Sequence, residues 1–206
     1  MKVNHLEVLV EEPSMAALLF ELLPRVINED VTFSIFTYNG KSDLLKKLPD
    51  RLLGYSSWLP ENFGIVVLVD NDDDDCKALK ATLEDHFARA GIPTKQSPNG
   101  TLFSGLTRIA IKELEAWYFG NWPAVNRSYP KVPLSTATKA RFRNSDEIQG
   151  GTWEAFERIC KDNGLFLSGL RKVEAARAIG KEIDISENKS PSFQAFIDGI
   201  RMLTSQ

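Results

Sequence analysis

Glu11 and the pair Asp70 and Asp72 lie about sixty positions apart, yet each follows directly on a short apolar run. Leu6, Val8, Leu9 and Val10 precede Glu11, and Ile65 to Val69 precede Asp70. If both runs are parallel strands, the three carboxylates leave the sheet at its carboxyl edge, where open α/β sheets bind ligands. Crowded carboxylates repel one another and hold protons unless a cation neutralises them. Magnesium (Mg2+), or manganese (Mn2+) in its place, takes a few such oxygens and completes its shell with water. A divalent-metal site on Glu11, Asp70 and Asp72 is therefore expected, with Asp74, Asp75, Glu113 and Glu115 as further ligands for one ion or two. Such a metal orients a phosphodiester and stabilises charge on the attacking and leaving oxygens, with water as nucleophile and Glu11 alternatively as general base. Helix capping is the lesser alternative for the acidic run Asp72 to Asp75, since acids in a first helical turn complement the macrodipole without any metal. It does not account for Glu11.

The elements that must position these residues follow from apolar spacing. After the first strand, Pro13 opens a helix whose face is Met15, Leu18, Leu19, Leu22, Leu23 and Val26, with Pro24 kinking or splitting it. Val31 to Tyr38 is a second strand, and Leu44, Leu45 and Leu48 start a helix expected to break at Pro49. Gly64 to Val69 is apolar without alternation, as a central parallel strand requires. Cys76, Leu79, Leu83, Phe87 and Ala90 form the next helical stripe, closed by Gly91, and Leu102 to Ile111 suits a fourth strand. The β-α-β-α-β-α-β order predicts an open, mainly parallel four-stranded α/β sheet flanked by helices over residues 1–120. Residues 121–206 carry helical periodicity around Trp153 to Cys160, Ser168 to Ile179 and Pro191 to Leu203, a C-terminal helical appendage packed on the sheet domain. Ser190 is placed to cap the last helix.

Where the fourth strand ends decides the roles of Glu113 and Glu115. A strand continuing through Leu114 puts both carboxylates on one side. A helix begun by Lys112 turns them about 200° apart, and at most one joins the site.

Of the 206 residues 43% are apolar and 26% charged, which excludes intrinsic disorder, a fibrous repeat and a disulfide-stapled miniprotein. The net charge of -3 is too small for wholesale coating of a polyanion, but it is unevenly spread. Residues 1–100 hold 10 basic against 16 acidic side chains, and residues 101–206 hold 15 against 12. Cys76 and Cys160 are too few for a disulfide framework or a tetrahedral zinc site. The opening residues lack the apolar core of a signal peptide and no run approaches the ~20 residues of a membrane span, so a cytoplasmic protein without membrane contact is expected.

Gly40-Lys41-Ser42 lacks the earlier glycine of a phosphate loop, Ile35 standing in that place, so Lys41 reads as a turn residue within reach of a phosphate. Lys139, Arg141, Arg143, Arg171, Lys172 and Arg177 are the basic component of the back half and read first as solvated helix faces. His5 and His86 read as structural or surface residues, and Trp58, Trp117, Trp122 and Trp153 as core or interface anchors.

Glu11 after an apolar first strand and Asp70-Asn71-Asp72 after an apolar third resemble the two acidic motifs of the Toprim fold, shared by topoisomerases, DnaG-type primases and the OLD and RloB nuclease-like proteins. More narrowly, Leu9-Val10-Glu11, Leu68-Val69-Asp70-Asn71-Asp72 with Asp75-Cys76, Ile109 to Trp117, Gly150-Gly151-Thr152 and Asn188 to Phe193 resemble a bacterial Toprim-like family, domain of unknown function 4276. The resemblance implies a Mg2+-dependent site for phosphodiester chemistry, a nucleic-acid substrate and work in phage defence beside a partner ATPase of the ABC or AAA type. The family's usual Glu-Gly-x-Thr-Glu is here Glu11-Glu12-Pro13-Ser14-Met15. Met15 cannot bind a hard cation, and Glu12 is the acid that can compensate. Three outcomes stay open at this point: a metal-dependent nuclease, a non-catalytic module docking on an ATPase, and an enzyme of small phosphorylated molecules.

Overall fold

The computed structural model describes residues 2–97 and 102–205. Strand β1 (His5–Val10) leads through α1 (Pro13–Leu22) to β2 (Thr32–Thr37), then α2 (Lys41–Trp58), β3 (Phe63–Asp70), α3 (Cys76–Arg89) and β4 (Gly105–Ala110). The remaining chain is helical, with α4 (Ala116–Gly120), α5 (Trp122–Ser128), short 3-10 turns between 134 and 147, α6 (Thr152–Asp162), α7 (Lys172–Glu182) and α8 (Pro191–Thr204). The four strands pair in parallel in the order β2-β1-β3-β4. The chain thus leaves β1 in one direction and β3 in the other, and the crevice between these two central strands is the topological switch point.

Strand β3 is buried from Gly64 to Asp70, which explains its unbroken apolar run. One face of the sheet, carrying Val8, Val10, Val66 and Leu68, packs on Leu18 and Leu22 of α1, Ile179 of α7, and Phe193, Phe196 and Ile197 of α8. The other face, with Leu9, Ile65, Val67 and Val69, packs on Leu44, Leu48, Leu52 and Tyr55 of α2 and Leu79, Leu83 and Phe87 of α3. Helix α7 lies close against α1 because Gly180 faces it: a Cβ there would stand 3.2 Å from the Leu18 carbonyl oxygen. Among the described residues no helix is long and apolar enough to cross a membrane.

Local signals set most boundaries. Helix α1 ends at Leu22 and Pro24 sits in a 3-10 turn over Leu23–Arg25. Gly91 takes the left-handed conformation at φ +70° that closes α3. The Ser190 side chain accepts from the Phe193 amide and caps α8. Strands β2 and β4 are shorter than expected, spanning Thr32–Thr37 and Gly105–Ala110. The expected break at Pro49 does not occur, and α2 runs unbroken from Lys41 to Trp58 with Pro49 inside. Burial of Leu44, Leu48, Leu52 and Tyr55 along one stripe keeps α2 helical through Pro49, outweighing the lost amide bond. Trp58 is 64% exposed at the end of that helix, so it is no core anchor, whereas Trp117 and Trp122 are buried.

Because α2 continues through Pro49 against the cost of proline, Pro49→Ala is expected to raise the unfolding free energy by about 1–3 kcal/mol, read by urea denaturation at unchanged m-value.

Candidate metal centre

At the carboxyl edge of the switch point, Val10 of β1 pairs with Leu68 of β3. Glu11 follows β1 directly and Asp70 is the last residue of β3, so two neighbouring strands deliver one carboxylate each to the same crevice. By strand alternation Asp70 follows Val66 and Leu68 onto the face covered by α1 and the C-terminal helices. Glu115, in the turn before α4, arrives from the β4 side. All three are inside the protein, with exposures of 6% for Glu11, 3% for Asp70 and 1% for Glu115.

Buried carboxylates are normally hydrogen-bonded. Here Glu11 Oε2, Asp70 Oδ1 and both carboxyl oxygens of Glu115 have no hydrogen-bond partner. Burial, and then the negative charge of Asp72, push the Glu11 carboxyl up to about 7. Burial followed by the charges of Glu11 and Glu115 holds Asp70 well above the ordinary carboxylate range. Burial pushes Glu115 up to about 7, against the pull of the Lys172 ammonium. The site crowds acids together, so their charged forms are disfavoured. Tyr118, whose buried hydroxyl has no partner, stands in the same field, its proton held by burial and by the charges of Glu115 and Glu12.

Two ammonium groups flank the pool. Lys41, at the start of α2, donates to the carbonyl oxygens of Asp70 (3.1 Å) and Asn71 (3.2 Å), and its Nζ lies 2.5 Å from Asp72 Oδ2 and 2.6 Å from Asp74 Oδ2. It is thus a strut of the acidic turn, not the free turn residue its sequence suggests. Lys172, in the first turn of α7, lies 3.8 Å from Glu12 Oε1 and 5.3 Å from the centre of the Trp153 ring. Burial opposes its charge, but the carboxylates of Glu115, Glu12 and Asp70 raise its pKa. Glu12 hydrogen-bonds the Ser14 hydroxyl and adds to the field on Glu11, Asp70 and Glu115, whereas Met15 is fully buried in the core. Lys172 carried only a general basic signal in the sequence. Tyr118 was legible only as the residue three positions after Glu115, on the same side of a helical turn.

The turns that carry the acids are locked to each other. Asp72 and Lys112 both take left-handed backbone angles, φ +50° and +63°, and the Asp72 amide donates to the Lys112 carbonyl oxygen at 2.7 Å. Positive φ at a non-glycine residue costs energy and is held only by surrounding structure. The Asn71 side-chain amide adds bonds to the carbonyl oxygens of Asp72 (3.2 Å) and Asp74 (3.0 Å).

The structure therefore sorts the acidic residues of the sequence. It brings Glu11, Asp70 and Glu115 together, with Asp72 at the rim beside Lys41. Asp74 shares Lys41, and Asp75 caps α3 by accepting from the Ala78 amide at 2.8 Å. Glu113 points to α6, where Glu113 Oε2 accepts from the Thr152 amide and hydroxyl, both at 2.7 Å, and from the Trp153 amide at 2.9 Å. Neither alternative for this segment holds: β4 ends at Ala110, a left-handed Lys112 follows, and α4 starts only at Ala116. Of the basic residues, Arg141 lines a separate cavity with Arg158, away from Lys172.

Among the described residues no three His, Cys, Asp or Glu side chains already stand as a ready cage for an ion. Mg2+ does not demand one, since it binds through one or two carboxylates and keeps waters or substrate phosphates for the rest. The hard, unpartnered oxygens of Glu11 and Asp70 fit that pattern, with Asp72 and Glu115 next in line.

Both Glu11 and Glu115 bind their proton more tightly folded than unfolded, so their contribution to stability is full below about pH 4.5 and is lost as pH rises through about 7. In EDTA the melting temperature is expected to fall between pH 5.5 and 8, and added Mg2+ is expected to raise it more at pH 8 than at pH 5.5. Lys41→Met removes the strut and is expected to speed amide hydrogen exchange at residues 71 to 75 while leaving β3 protected.

Comparison with curated proteins and with solved structures returned no match. The sequence model of one family matches residues 10–201, nearly the whole chain, from the last residue of β1 through most of α8. The chain belongs to that family, described as a domain of unknown function (DUF4276).

Proposed function

We propose that this protein is a Mg2+- or Mn2+-dependent phosphodiester-processing enzyme, a nuclease of the Toprim type, acting on nucleic acid in the cytoplasm. The observation that carries the reading is the pair of buried, unpartnered oxygens, Glu11 Oε2 and Asp70 Oδ1, at the switch point of a parallel sheet. Leaving such acids unpaired is costly, and a site that tolerates this is built for something that arrives. The divalent ion would supply charge neutralisation and polarise a phosphoryl oxygen. Glu11 and Asp70 would hold it, with Asp72 or Glu115 completing the set through water.

The chain's own groups do the rest. Where Asp70 and Asp72 hold the ion instead, Glu11 is free to take a proton from an attacking water. Lys172, kept charged by its acidic neighbours, can meet a non-bridging phosphate oxygen. Lys41 orients Asp72 and the backbone carbonyls around it. Four parallel strands with an acid after the first and another ending the third support the Toprim comparison. Work in phage defence with an ABC- or AAA-type ATPase is the part of the proposal that rests on family resemblance alone.

One observation favours a second reading, a non-catalytic module that binds and regulates such an ATPase. Met15, fully buried, stands where the resemblance expects a second acid, and Glu12 is engaged with Ser14.

Incubating the purified protein with single- and double-stranded DNA and RNA in Mg2+ or Mn2+ tests the enzyme reading. Cleavage is expected, with Glu11→Gln slower by roughly 10²–10⁴-fold. Asp70→Asn is expected to lose activity yet keep or raise the metal-free melting temperature at pH 8, because it replaces an unpartnered buried acid with a neutral group of the same shape. Equal cleavage by all three proteins would refute the site. Turnover of free nucleotides without cutting of polymers would move the substrate to small phosphorylated molecules.

A further inference from the structure

The sheet has two edges, and the chain treats them differently. Strand β4 is covered: the Gly105 amide donates to the Pro93 carbonyl oxygen at 2.9 Å, and the Thr107 carbonyl oxygen accepts from Lys80 Nζ at 2.6 Å and Arg108 Nη1 at 2.9 Å. Strand β2 has no such cover. The Thr32 and Tyr38 amides donate to the carbonyl oxygens of Asn4 and Val10, so by alternation Phe33, Ile35 and Thr37 turn their amides and carbonyls away from β1. Among the described residues none of these outward groups has a partner. The free stretch is bounded at both ends, because the Val31 amide turns back to the Asn28 carbonyl oxygen (3.0 Å) and the Asn39 amide to Asp43 Oδ2 (3.2 Å). Proteins usually blunt an open edge with a charge, a proline or a bulge. Thr32-Phe33-Ser34-Ile35-Phe36-Thr37 contains neither charge nor proline, and its register with β1 runs without a bulge. At its flank Phe20 of α1 is 53% exposed, its ring centroid 5.8 Å from that of Phe33.

We infer that this edge takes the β2 strand of a second copy of the chain, antiparallel about a twofold axis at Ile35, so that two four-stranded sheets join into one. In that register Phe33 stands opposite Thr37 of the second copy and Ile35 opposite its own counterpart, and the free amides of each copy meet the free carbonyls of the other. Charge selects the antiparallel sense. Exposed Glu29 and Asp30 precede β2, whereas Lys41, Lys46 and Lys47 follow it with Asp43 the one acid among them. An antiparallel pair turns the acidic end of one copy toward the lysine-bearing end of the other, and a parallel pair would set like ends side by side. Phe33 and Phe20 give the joint apolar surface to bury. The carboxyl ends of the two sheets then point in opposite directions, so each acid crevice opens at its own edge of the joined sheet and is built from one chain alone. The pairing therefore does not depend on the phosphodiester reading.

The test is sedimentation equilibrium of the full chain across a concentration series, with residue-resolved amide hydrogen exchange on the same samples. Wild type is expected to be a dimer at about 100 μM, and the amides of Phe33, Ile35 and Thr37 to exchange more slowly as concentration rises. Thr37→Pro removes an outward amide at an exposed position that gives β1 no bond, and is expected to weaken the dimer by at least about tenfold. Glu29→Lys leaves the strand itself untouched and is expected to weaken the dimer about threefold at low salt and less at high salt. Circular dichroism checks that all three proteins are folded. A monomeric wild type at about 100 μM would overturn the joint and leave the edge to a strand of another protein. A dimer that both variants leave as tight as wild type, or one without concentration-dependent protection at the three amides, would put the contact elsewhere and overturn it as well. Neither readout involves cleavage, so failure of the nuclease reading and failure of this pairing are seen separately.

Discussion

Negative charge confined to a dry crevice is the constraint on which this molecule turns. Parallel pairing of β1 and β3 in fixed register brings Glu11 and Asp70 to one opening, and helices on both faces of the sheet withhold the water that would screen them. At short range in a poorly polarisable interior their repulsion is large, and it is relieved only by protons or by positive charge. Both remedies are visible: carboxyls with pKa values raised toward neutrality, and the ammonium groups of Lys41 and Lys172 drawn to either side. The fold fixes the pool, and the pool in turn selects what can enter it.

The division of labour between the two ammonium groups follows from where their helices start. Lys41 reaches down onto the acidic turn from α2 and satisfies carbonyl oxygens as well as carboxylates, so it is structural. Lys172 is held by α7, which is seated on α1 through Gly180, and its contact to Glu12 is longer.

Much of this was legible in the chain before any coordinates. An apolar run without alternation implied a strand covered on both sides, and a single acid at the end of each of two such runs implied a shared edge; both hold because strand ends in a parallel sheet coincide in space. Helix spacing and the Ser190 cap identified α8 for the same reason, that the interactions are local. What escaped was decided at long range. Glu113 and Glu115 differ by two positions, yet one caps α6 about forty residues away and the other is buried beside Asp70, a choice made by the left-handed turn at Lys112. Pro49 is overridden by packing on the sheet, and Lys41 is claimed by a turn thirty residues further on.

The bond between the Asp72 amide and the Lys112 carbonyl joins two connections that the chain makes at different times, one after β3 and one after β4. Neither connection can change length alone. A residue inserted in the second would rotate Glu113 off the start of α6 and carry Glu115 out of the crevice while pulling Asp72 from Lys41, so one event would disturb the helical cap, the charge pool and its strut together. Surface connections such as that between α6 and α7 carry no such rung. Insertions and deletions among relatives should accumulate there and spare the two bonded turns, a pattern of gaps that any set of homologous chains can display.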